Sequence, residues 1–322
     1  MSLETEAVLD RRALRRRLGA WRTAAFAGGL LALGAVALAL GAPGLGERHH
    51  IARVTIDGLI TEDRQQLLML QRLAENTNVD AVILSVNSGG GTTTGGEALF
   101  ESIRAIAKTK PVVAQFGTVA ASAAYICGLA ADHIVARGNS ITGSVGVIFQ
   151  WPEVSGLLDK VGVKMNEIKS GPLKAVPSLF EPISPAGRQT AELMVAESQV
   201  WFLGLVKSRR AIDTAQVPGL EQGRVFSGRE ALTYKLVDEI GGEPEAVRWL
   251  ETKRGIGRNL KIIDWRPASG SSPGLLRWIG QAAIAGLWQG TVDESPLLSS
   301  LDTVRSRLLL DGLVSVWQPH EK

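Results

Sequence analysis

A serine among small residues is the feature of the chain that most suggests chemistry. The stretch TVAASAAYICGLAADHIV, residues 118–135, places Ser122 a few residues after Gly117, where a strand should give way to a helix. A hydroxyl at such a junction lies beside the N–H of Ala123 and the other unpaired N–H groups of a helix N-terminus, which can hold a developing oxyanion. Ser122 is therefore a candidate nucleophile, and a serine that caps the helix is the structural alternative.

A serine nucleophile needs a general base, and the four histidines do not supply an obvious one. His49, His50 and His320 lie near the two ends of the sequence. His133 falls in a predicted core strand, where a strand-end hydrogen bond is its expected role. A Ser-His-Asp triad is therefore disfavoured.

A lysine can replace histidine when burial and the lack of a close counter-ion lower its pKa toward neutrality. Lysines at positions 160, 164, 169 and 174 follow the serine stretch. In IKSGPLKAVPS, Lys174 comes after a glycine turn and has no acidic residue within six positions on either side. This environment makes Lys174 a candidate general base but does not select it over the other lysines, since most lysines are solvated surface groups.

A glycine-rich stretch, NSGGGTTTGGE at residues 87–97, follows another predicted strand. Glycines at positions 89, 90 and 91 would let backbone N–H groups approach a ligand closely before a helix begins. The stretch is not a P-loop, because the Gly-Lys-Ser/Thr ending is absent. A tight turn and an oxyanion cradle both remain open here.

Strand-like and helix-like stretches alternate around these two segments. β-rich runs cover residues 52–60, 80–88, 111–117 and 133–138, and helical patterns cover 61–76 and 95–109. This alternation predicts an α/β fold with a parallel sheet flanked by helices, in which chemistry gathers just past the strand ends. Ser184, followed by proline, predicts the start of a long helix that includes residues 191–210.

The basic character of the chain comes from one end. Six arginines and three acidic residues in positions 1–22 give that segment a charge of +3, and the remaining residues hold 29 basic and 29 acidic groups. The sequence pI of about 9.1 therefore reports an arginine cluster. Charge gives no support to a nucleic-acid surface on the main body. With a single cysteine, Cys127, the chain cannot form an intrachain disulfide.

An apolar run, AAFAGGLLALGAVALALGA at residues 24–42, follows the arginines and contains 19 residues without a charge. As a helix it would span roughly the 30 Å hydrocarbon layer of a membrane. The arginines would hold its N-terminal end in the cytoplasm, so that the following domain is exported. A cleaved signal peptide and a buried core helix are the alternatives.

These patterns predict four segments: a cytoplasmic basic tail at 1–22, a transmembrane signal anchor at 23–45, a main domain at 46–265 and a C-terminal helical extension at 266–322. In the extension, the amphipathic run at 273–288 would rest on a membrane, cap a neighbouring molecule or pack on its own domain. We expect a single-pass protein of the inner (cytoplasmic) membrane with its main domain on the extracytoplasmic side.

Five blocks, in order behind the anchor, resemble one family. They read NSGGGTTTGGEAL, KPVVAQFGTVAASAAYICGLAADHIVA, ITGSVGVIFQ, EIKSGPLKA and GRVFSGREALTYKLVDEIGG. Across residues 51–250 the chain resembles the short, single-domain form of the bacterial signal peptide peptidase A family. The resemblance implies a Clp protease/crotonase-like fold and a membrane-anchored serine protease with a Ser-Lys dyad. Nothing in the sequence suggests a metal or a cofactor.

The resemblance also assigns roles to residues. It implies that Ser122 is the nucleophile, that Lys174 is the general base, and that Ser144 in TGSVG hydrogen-bonds the lysine. The oxyanion donors would be the backbone N–H groups of Gly90 and Ala123. The implied substrates are remnant signal peptides or other unfolded exported or membrane peptides. The implied assembly is a homo-oligomer, a ring or dome in which neighbouring subunits supply the serine and the lysine of one site.

Two departures from the family pattern lie at the expected site. The usual Ser-Pro-Gly-Gly is replaced by Ser-Gly-Gly-Gly at 88–91, which removes a stiffening proline, and the Gly-Gly that commonly follows the nucleophile is replaced by Ala123-Ala124. Three other functions stay open at this point: a related protease acting on intact membrane proteins, a crotonase-type CoA enzyme and a catalytically silent membrane scaffold.

Overall fold

A mostly parallel β-sheet with helices packed against it organises residues 49–267. The protein's structure, a computed structural model, describes residues 19, 21–31, 34, 49–267 and the backbone of strand 312–316. Residues 1–48 and 49–322 form separate units. The predicted α/β class and the predicted parallel sheet are confirmed.

The strands are β1 (His50–Ile60), β2 (Val79–Thr92), β3 (Val112–Ala121), β4 (His133–Ala136), β5 (Ile141–Gly143), β6 (Ile148–Gln150), β7 (Val225–Ser227), β8 (Glu239–Ile240), β9 (Lys261–Trp265) and β10 (Gly312–Val316). The helices are α1 (Arg64–Glu75), α2 (Thr93–Ala107), α3 (Ala123–Leu129), α4 (Ser155–Lys160), α5 (Pro185–Arg210), α6 (Gly228–Thr233) and α7 (Glu243–Lys253).

The sheet is built around a parallel ladder. Strands β9, β1, β2, β3, β4 and β8 pair side by side in that order, all in parallel. At its far end β3 also pairs with β5, which continues antiparallel to β7. Strand β10 runs antiparallel to both β2 and β6.

Alternating side chains of the central strands supply two hydrophobic cores, one on each face of the sheet. Val82, Leu84 and Val86 of β2 pack in the larger core, which includes buried residues of α1, α2, α3 and α5. Ala81 and Ile83 pack in the smaller core with residues of α7. The period of two explains why residues 81–84 are apolar at every position, since both faces of the strand are covered.

The predicted strands and helices are present, with one difference that bears on the site. Residues 87–92, expected as a loop, belong to β2, and only from Thr93 does the chain become helical. Gly91 pairs with Ile60 of β1, and a Cβ at Gly91 would lie 1.8 Å from the Ile60 carbonyl oxygen. The glycine therefore allows a close approach of two strands where the composition indicated a turn.

The start of α5 matches its predicted signal. Ser184 is the N-cap residue, its side chain accepts a hydrogen bond from the Gly187 N–H at 3.1 Å, and Pro185 is the first helical residue. This arrangement satisfies one of the unpaired N–H groups at the helix start and uses a proline where no donor is needed.

The helical residues 21–31 belong to the first unit, and their side chains are exposed. Within the part of the chain that the structure describes, none of the helices combines the length and the apolar character that a membrane span requires. Residues 32, 33 and 35–45 of the predicted anchor and the amphipathic run at 273–288 lie outside the described residues.

The predicted helical extension is wrong at residues 312–316, which form strand β10 of the main sheet. Two β-branched valines within five residues favour an extended backbone, and β2 and β6 both offer open edges for it to pair with. Long-range strand pairing therefore overrides the helical pattern around this segment.

Helix α3 is packed so tightly that all seven of its residues are buried. Its Tyr125 hydroxyl donates a hydrogen bond to the Leu236 carbonyl at 2.8 Å, and its ring meets Phe116 edge-on at 6.3 Å. Burial raises the pKa of Tyr125, so the hydroxyl stays protonated as a donor. This bond fixes the helix that begins directly after Ser122.

Replacing Tyr125 with phenylalanine should lower the free energy of unfolding by about 1–2 kcal/mol, because the change leaves the buried Leu236 carbonyl without its partner. Tyr234 is the matched control, since it is the other of the two tyrosines and its hydroxyl makes no hydrogen bond with a described residue. Urea unfolding of both Tyr→Phe variants measures the difference. Equal losses in the two variants would contradict a stabilising role for the Tyr125 bond.

Candidate active site

Ser122 sits on a sharp turn between a strand and a helix. Strand β3 ends at Ala121, α3 begins at Ala123, and Ser122 between them has φ 59° and ψ −123°. Such a backbone conformation costs a non-glycine residue about 1–3 kcal/mol and persists only where the surroundings enforce it. The Ser122 side chain accepts no capping hydrogen bond from α3, so the capping alternative fails. A strained serine at a strand-to-helix turn is typical of a hydrolase nucleophile.

Backbone hydrogen bonds hold this turn. The Ser122 N–H donates to the Gly143 carbonyl at 2.9 Å, and the Ser122 carbonyl accepts the first helical bond of α3 from Ile126 at 3.1 Å. The N–H of Ala123, at the first helical position, makes no hydrogen bond with any described residue. It is therefore available to an acceptor beside Ser122.

Gly90 lies in the neighbouring strand, and its N–H is engaged. Because Ser88 pairs with Ala120, β2 passes beside the end of β3 just before Ser122. Gly90 has φ 116°, which favours glycine, and its N–H donates to the Ser88 hydroxyl oxygen at 3.0 Å. Ser88 in turn donates to the Gly58 carbonyl at 2.6 Å. Gly90 therefore lies in the strand beside the end of β3, and in this structure its N–H donates within β2.

Ser144 lies next to Ser122 across two paired strands. Ala121 of β3 pairs with Gly143 of β5. Ser122 and Ser144 are the next residues on these two strands, so they are neighbours. Ser144 is 9% exposed, has φ 52°, and its N–H donates to the Arg224 carbonyl at 2.9 Å. Its hydroxyl makes no hydrogen bond with a described residue, which leaves it able to bind an incoming amine.

Lys174 is not brought to Ser122 within the chain. It ends a turn in which its N–H donates to the Gly171 carbonyl at 3.1 Å, and it is exposed. The Lys174 ammonium makes no hydrogen bond or ion pair with a described residue. The structure therefore gathers Ser122, Ser144, Ala123 and Gly90 at one place and leaves Lys174 in solvent.

Lys169 has a different environment from Lys174. Its ammonium binds the carboxylates of Glu181 and, at 3.0 Å, Glu167. The hydrogen bond to Glu181, followed by that to Glu167, raises the pKa of Lys169. An amine bound by two carboxylates favours its protonated form, so the contacts of Lys169 indicate a surface ion pair and do not support a role as general base.

His133 has the structural role that its strand position predicted. Its Nε2 lies 3.3 Å from a Glu239 carboxylate oxygen, and its ring stacks on Trp249 with a centroid distance of 4.7 Å. His133 pairs with Val113 near the start of β3, and the eight residue steps from there to Ala121 span about 26 Å of strand. Distance alone therefore separates this histidine from Ser122.

Asn87 is a site residue that the sequence patterns did not single out. Its side-chain oxygen accepts hydrogen bonds from the N–H groups of Thr118, at 3.0 Å, and Val119, at 3.2 Å. A Cβ at Gly117 would lie 2.9 Å from the same oxygen. This contact ties β2 to β3 where both approach Ser122. The sequence signal that could have identified Asn87 is its amide side chain directly after the strand-like run DAVILSV.

Comparison with known proteins agrees with this geometry. The profile of Peptidase family S49 matches residues 104–257, and the Clp protease profile matches residues 49–139. A Synechocystis sp. protein named "Putative protease" is 31% identical over 218 residues, which cover 67% of this chain and 79% of that protein.

Two further relatives are similar over most of their length. A Methanocaldococcus jannaschii protein named "Putative protease" is 31% identical, over 65% of this chain and 68% of that protein. An Enterococcus faecium protein named "Putative signal peptide peptidase SppA" is 29% identical, over 74% of this chain and 72% of that protein. The resemblance to the signal peptide peptidase A family is thereby confirmed, and the chain belongs to peptidase family S49 as a serine protease.

Proposed function

We propose that this protease cleaves remnant signal peptides after export, with Ser122 as nucleophile and Lys174 of a neighbouring copy as general base. The observation that carries the proposal is the strained Ser122 turn: the adjoining Ala123 N–H and the hydroxyl of Ser144, on the neighbouring strand end, make no hydrogen bond with a described residue. The Ser122 hydroxyl can attack a carbonyl, the Ala123 N–H can donate to the carbonyl oxygen, and the Ser144 hydroxyl can orient a base.

The proposed reaction forms and then hydrolyses an acyl-enzyme. The neutral Lys174 amine removes the Ser122 proton while the oxygen attacks a peptide carbonyl, and the Ala123 and Gly90 N–H groups donate to the oxyanion. The lysine then gives its proton to the leaving amine, and water releases the acyl group from Ser122. Gly90 can join only after its N–H exchanges the Ser88 hydroxyl for the oxyanion, since that N–H has one hydrogen to donate.

A neighbouring copy is invoked because the segment that carries Lys174 presents many apolar side chains to solvent. Their exposed fractions run from 38% to 105%. They are Leu157, Val161, Val163, Met165, Ile168, Leu173, Leu179 and Phe180. Apolar side chains concentrated in one segment favour burial against a protein partner. A second copy covering this segment would bring its own Ser122 toward Lys174, which makes the proposed homo-oligomer part of the active site.

The substrate and the location rest on sequence and similarity. The predicted anchor would hold the protease domain next to the extracytoplasmic face of the membrane, where signal peptides remain after export. The name of the Enterococcus faecium relative refers to signal peptides. An unfolded apolar peptide in or near the bilayer is accordingly the substrate that we propose.

A fluorophosphonate probe tests the nucleophile directly. The full chain should be labelled at one serine, labelling should disappear in Ser122→Ala, and it should fall at least about tenfold in Lys174→Ala because the base is lost. Ser198→Ala is the control, since its hydroxyl bonds to the Met194 carbonyl on an exposed helix face and has no role in the mechanism. Undiminished labelling of Ser122→Ala would overturn the proposed site.

A further inference from the structure

The turn that carries Ser144 has a strained backbone. Ser144 has φ 52° and directly follows Gly143, which has φ 83°. A serine in this left-handed region costs free energy and persists only where the surrounding structure enforces it. The Ser144 hydroxyl makes no hydrogen bond with a described residue, so the support must come from the backbone of the turn and from the groups that hold it.

The Ser144 turn lies against the chain that leads into β7. Strand β5 pairs with β7, and the Ser144 N–H, directly after β5, donates to the Arg224 carbonyl at 2.9 Å. Two residues further on, a Cβ at Gly146 would lie 3.5 Å from the Cα of Gly223. The N–H of Ser144 is therefore fixed by β7, and the carbonyl groups after it need a separate partner.

Gln199 of α5 supplies that partner. Its Nε2 donates to the Val145 carbonyl at 3.2 Å and to the Glu221 carbonyl at 3.3 Å. Both acceptors are carbonyl oxygens, so the amide must present its nitrogen to them. Val145 is fully buried, and a buried carbonyl needs a donor. The Gln199 amide thus ties the residue after Ser144 to the segment against which the turn lies.

The other end of the Gln199 amide shows what this arrangement costs. Its Oε1 is buried and accepts no hydrogen bond from a described residue. A buried acceptor without a partner is unfavourable. The side chain therefore holds two carbonyls while its own acceptor stays unsatisfied, which favours a positioning role over a stabilising one.

We propose that Gln199 is a positioning residue of the protease: its amide holds the Ser144 turn, and the Ser144 hydroxyl orients the Lys174 amine of the neighbouring copy. The inference rests on the proposed function, since that function gives the Ser144 hydroxyl its role. Gln199 acts only through the turn, so its loss should slow the chemical step and leave peptide binding as it is. A displacement of about 1 Å at a reacting centre costs about 10²-fold, and a smaller loss is expected because the bond to the Arg224 carbonyl remains.

Replacement of Gln199 with methionine removes both N–H groups and keeps a side chain of similar length. For a quenched signal-peptide fragment, kcat should fall about tenfold while KM stays within about twofold of the wild-type value. The rate of fluorophosphonate labelling should fall by a similar factor, because that reaction needs the base but no peptide. Gln189→Met is the matched control, since Gln189 is an exposed residue of α5 whose side chain makes no hydrogen bond with a described residue, and it should change none of these values.

The Ser144→Ala chain tests whether the effect passes through Ser144. Ser144→Ala alone should lower kcat at least about tenfold, and adding Gln199→Met should cause no further loss, since the hydroxyl to be positioned is then absent. Equal losses from Gln199→Met with and without the Ser144 hydroxyl would overturn the positioning role. An increase in KM with kcat unchanged, or wild-type kcat in the Gln199→Met chain, would overturn it as well.

Folding is checked by thermal unfolding, and the midpoint for Gln199→Met should lie within a few degrees of the wild-type value. If that chain does not fold, Gln199→Asn takes its place, because its amide is one methylene too short to reach both carbonyls and the same loss in kcat is expected. If neither chain folds, Gln199 is a structural residue and the proposal is wrong. Wild-type hydrolysis by Ser122→Ala or Lys174→Ala would contradict the proposed function itself, whereas loss in both of these with wild-type kcat in the Gln199 variant would contradict the role of Gln199 alone.

Discussion

Equal amounts of the Ser122→Ala and Lys174→Ala chains, co-assembled, should regain about a quarter of the wild-type hydrolysis of a quenched signal-peptide fragment, if neighbouring copies share each site. Each variant alone should lose activity by about 10³-fold or more, which is typical when a nucleophile or its base is removed. The recovery would follow from random mixing, because one chain type retains the serine and the other retains the lysine.

The physical reason is the separation of the two residues within one chain. Ser122 is buried at the end of β3, whereas Lys174 is exposed on a turn and bonds to no described side chain. If the base came from the same chain, every site in a mixed assembly would lack either the serine or the lysine. Mixing would then restore nothing.

Two controls sharpen the measurement. A Ser122→Ala chain mixed with a Ser122→Ala/Lys174→Ala chain should stay inactive at every ratio, since no serine is present. Varying the ratio of the two single variants should give maximal activity at equal amounts, because the number of complete sites is proportional to the product of the fractions of the two chains. Absence of recovery in assemblies shown by mass to contain both chains would contradict the shared site.

The sequence predicted the parts of the site that depend on local pattern. Apolar runs bounded by glycine marked β1, β2 and β3, and the position of Ser122 after such a run placed it at a strand-to-helix turn. The serine-proline pair at Ser184 marked the start of α5 for the same reason, since capping is a local hydrogen-bond requirement.

The parts that were missed depend on long-range pairing. Gly90 and Gly91 have low strand propensity, yet they pair with β1 on one side and with β10 on the other. The use of the Gly90 N–H by Ser88 likewise follows from the φ of 116° that this pairing imposes. A pattern within one chain cannot predict where Lys174 lies relative to a serine on another molecule.

Replacement of Gly91 with alanine should lower kcat/KM by about 10²-fold, because a displacement of about 1 Å at a reacting centre has that effect. An added Cβ would lie 1.8 Å from the Ile60 carbonyl oxygen and 2.6 Å from the Ile60 nitrogen, and both are backbone atoms of a paired strand. No side chain can turn aside to accommodate it, so either the end of β1 or the 88–91 segment must move.

That movement should displace the N–H of Gly90, the adjacent residue and proposed oxyanion donor, without unfolding the domain. We expect a decrease of about 1–3 kcal/mol in the free energy of unfolding, the usual cost of overpacking, together with the larger loss in kcat/KM. Gly204→Ala is the matched control, since a Cβ at Gly204 would have no atom within 4 Å and Gly204 lies outside the segment that carries Lys174, and it should lower neither quantity. Urea unfolding and hydrolysis of the quenched peptide, both at 25 °C, separate the two effects. A Gly91→Ala protease with wild-type kcat/KM would show that the 88–91 segment does not position the oxyanion donor, and Ala123 would then have to hold the oxyanion alone.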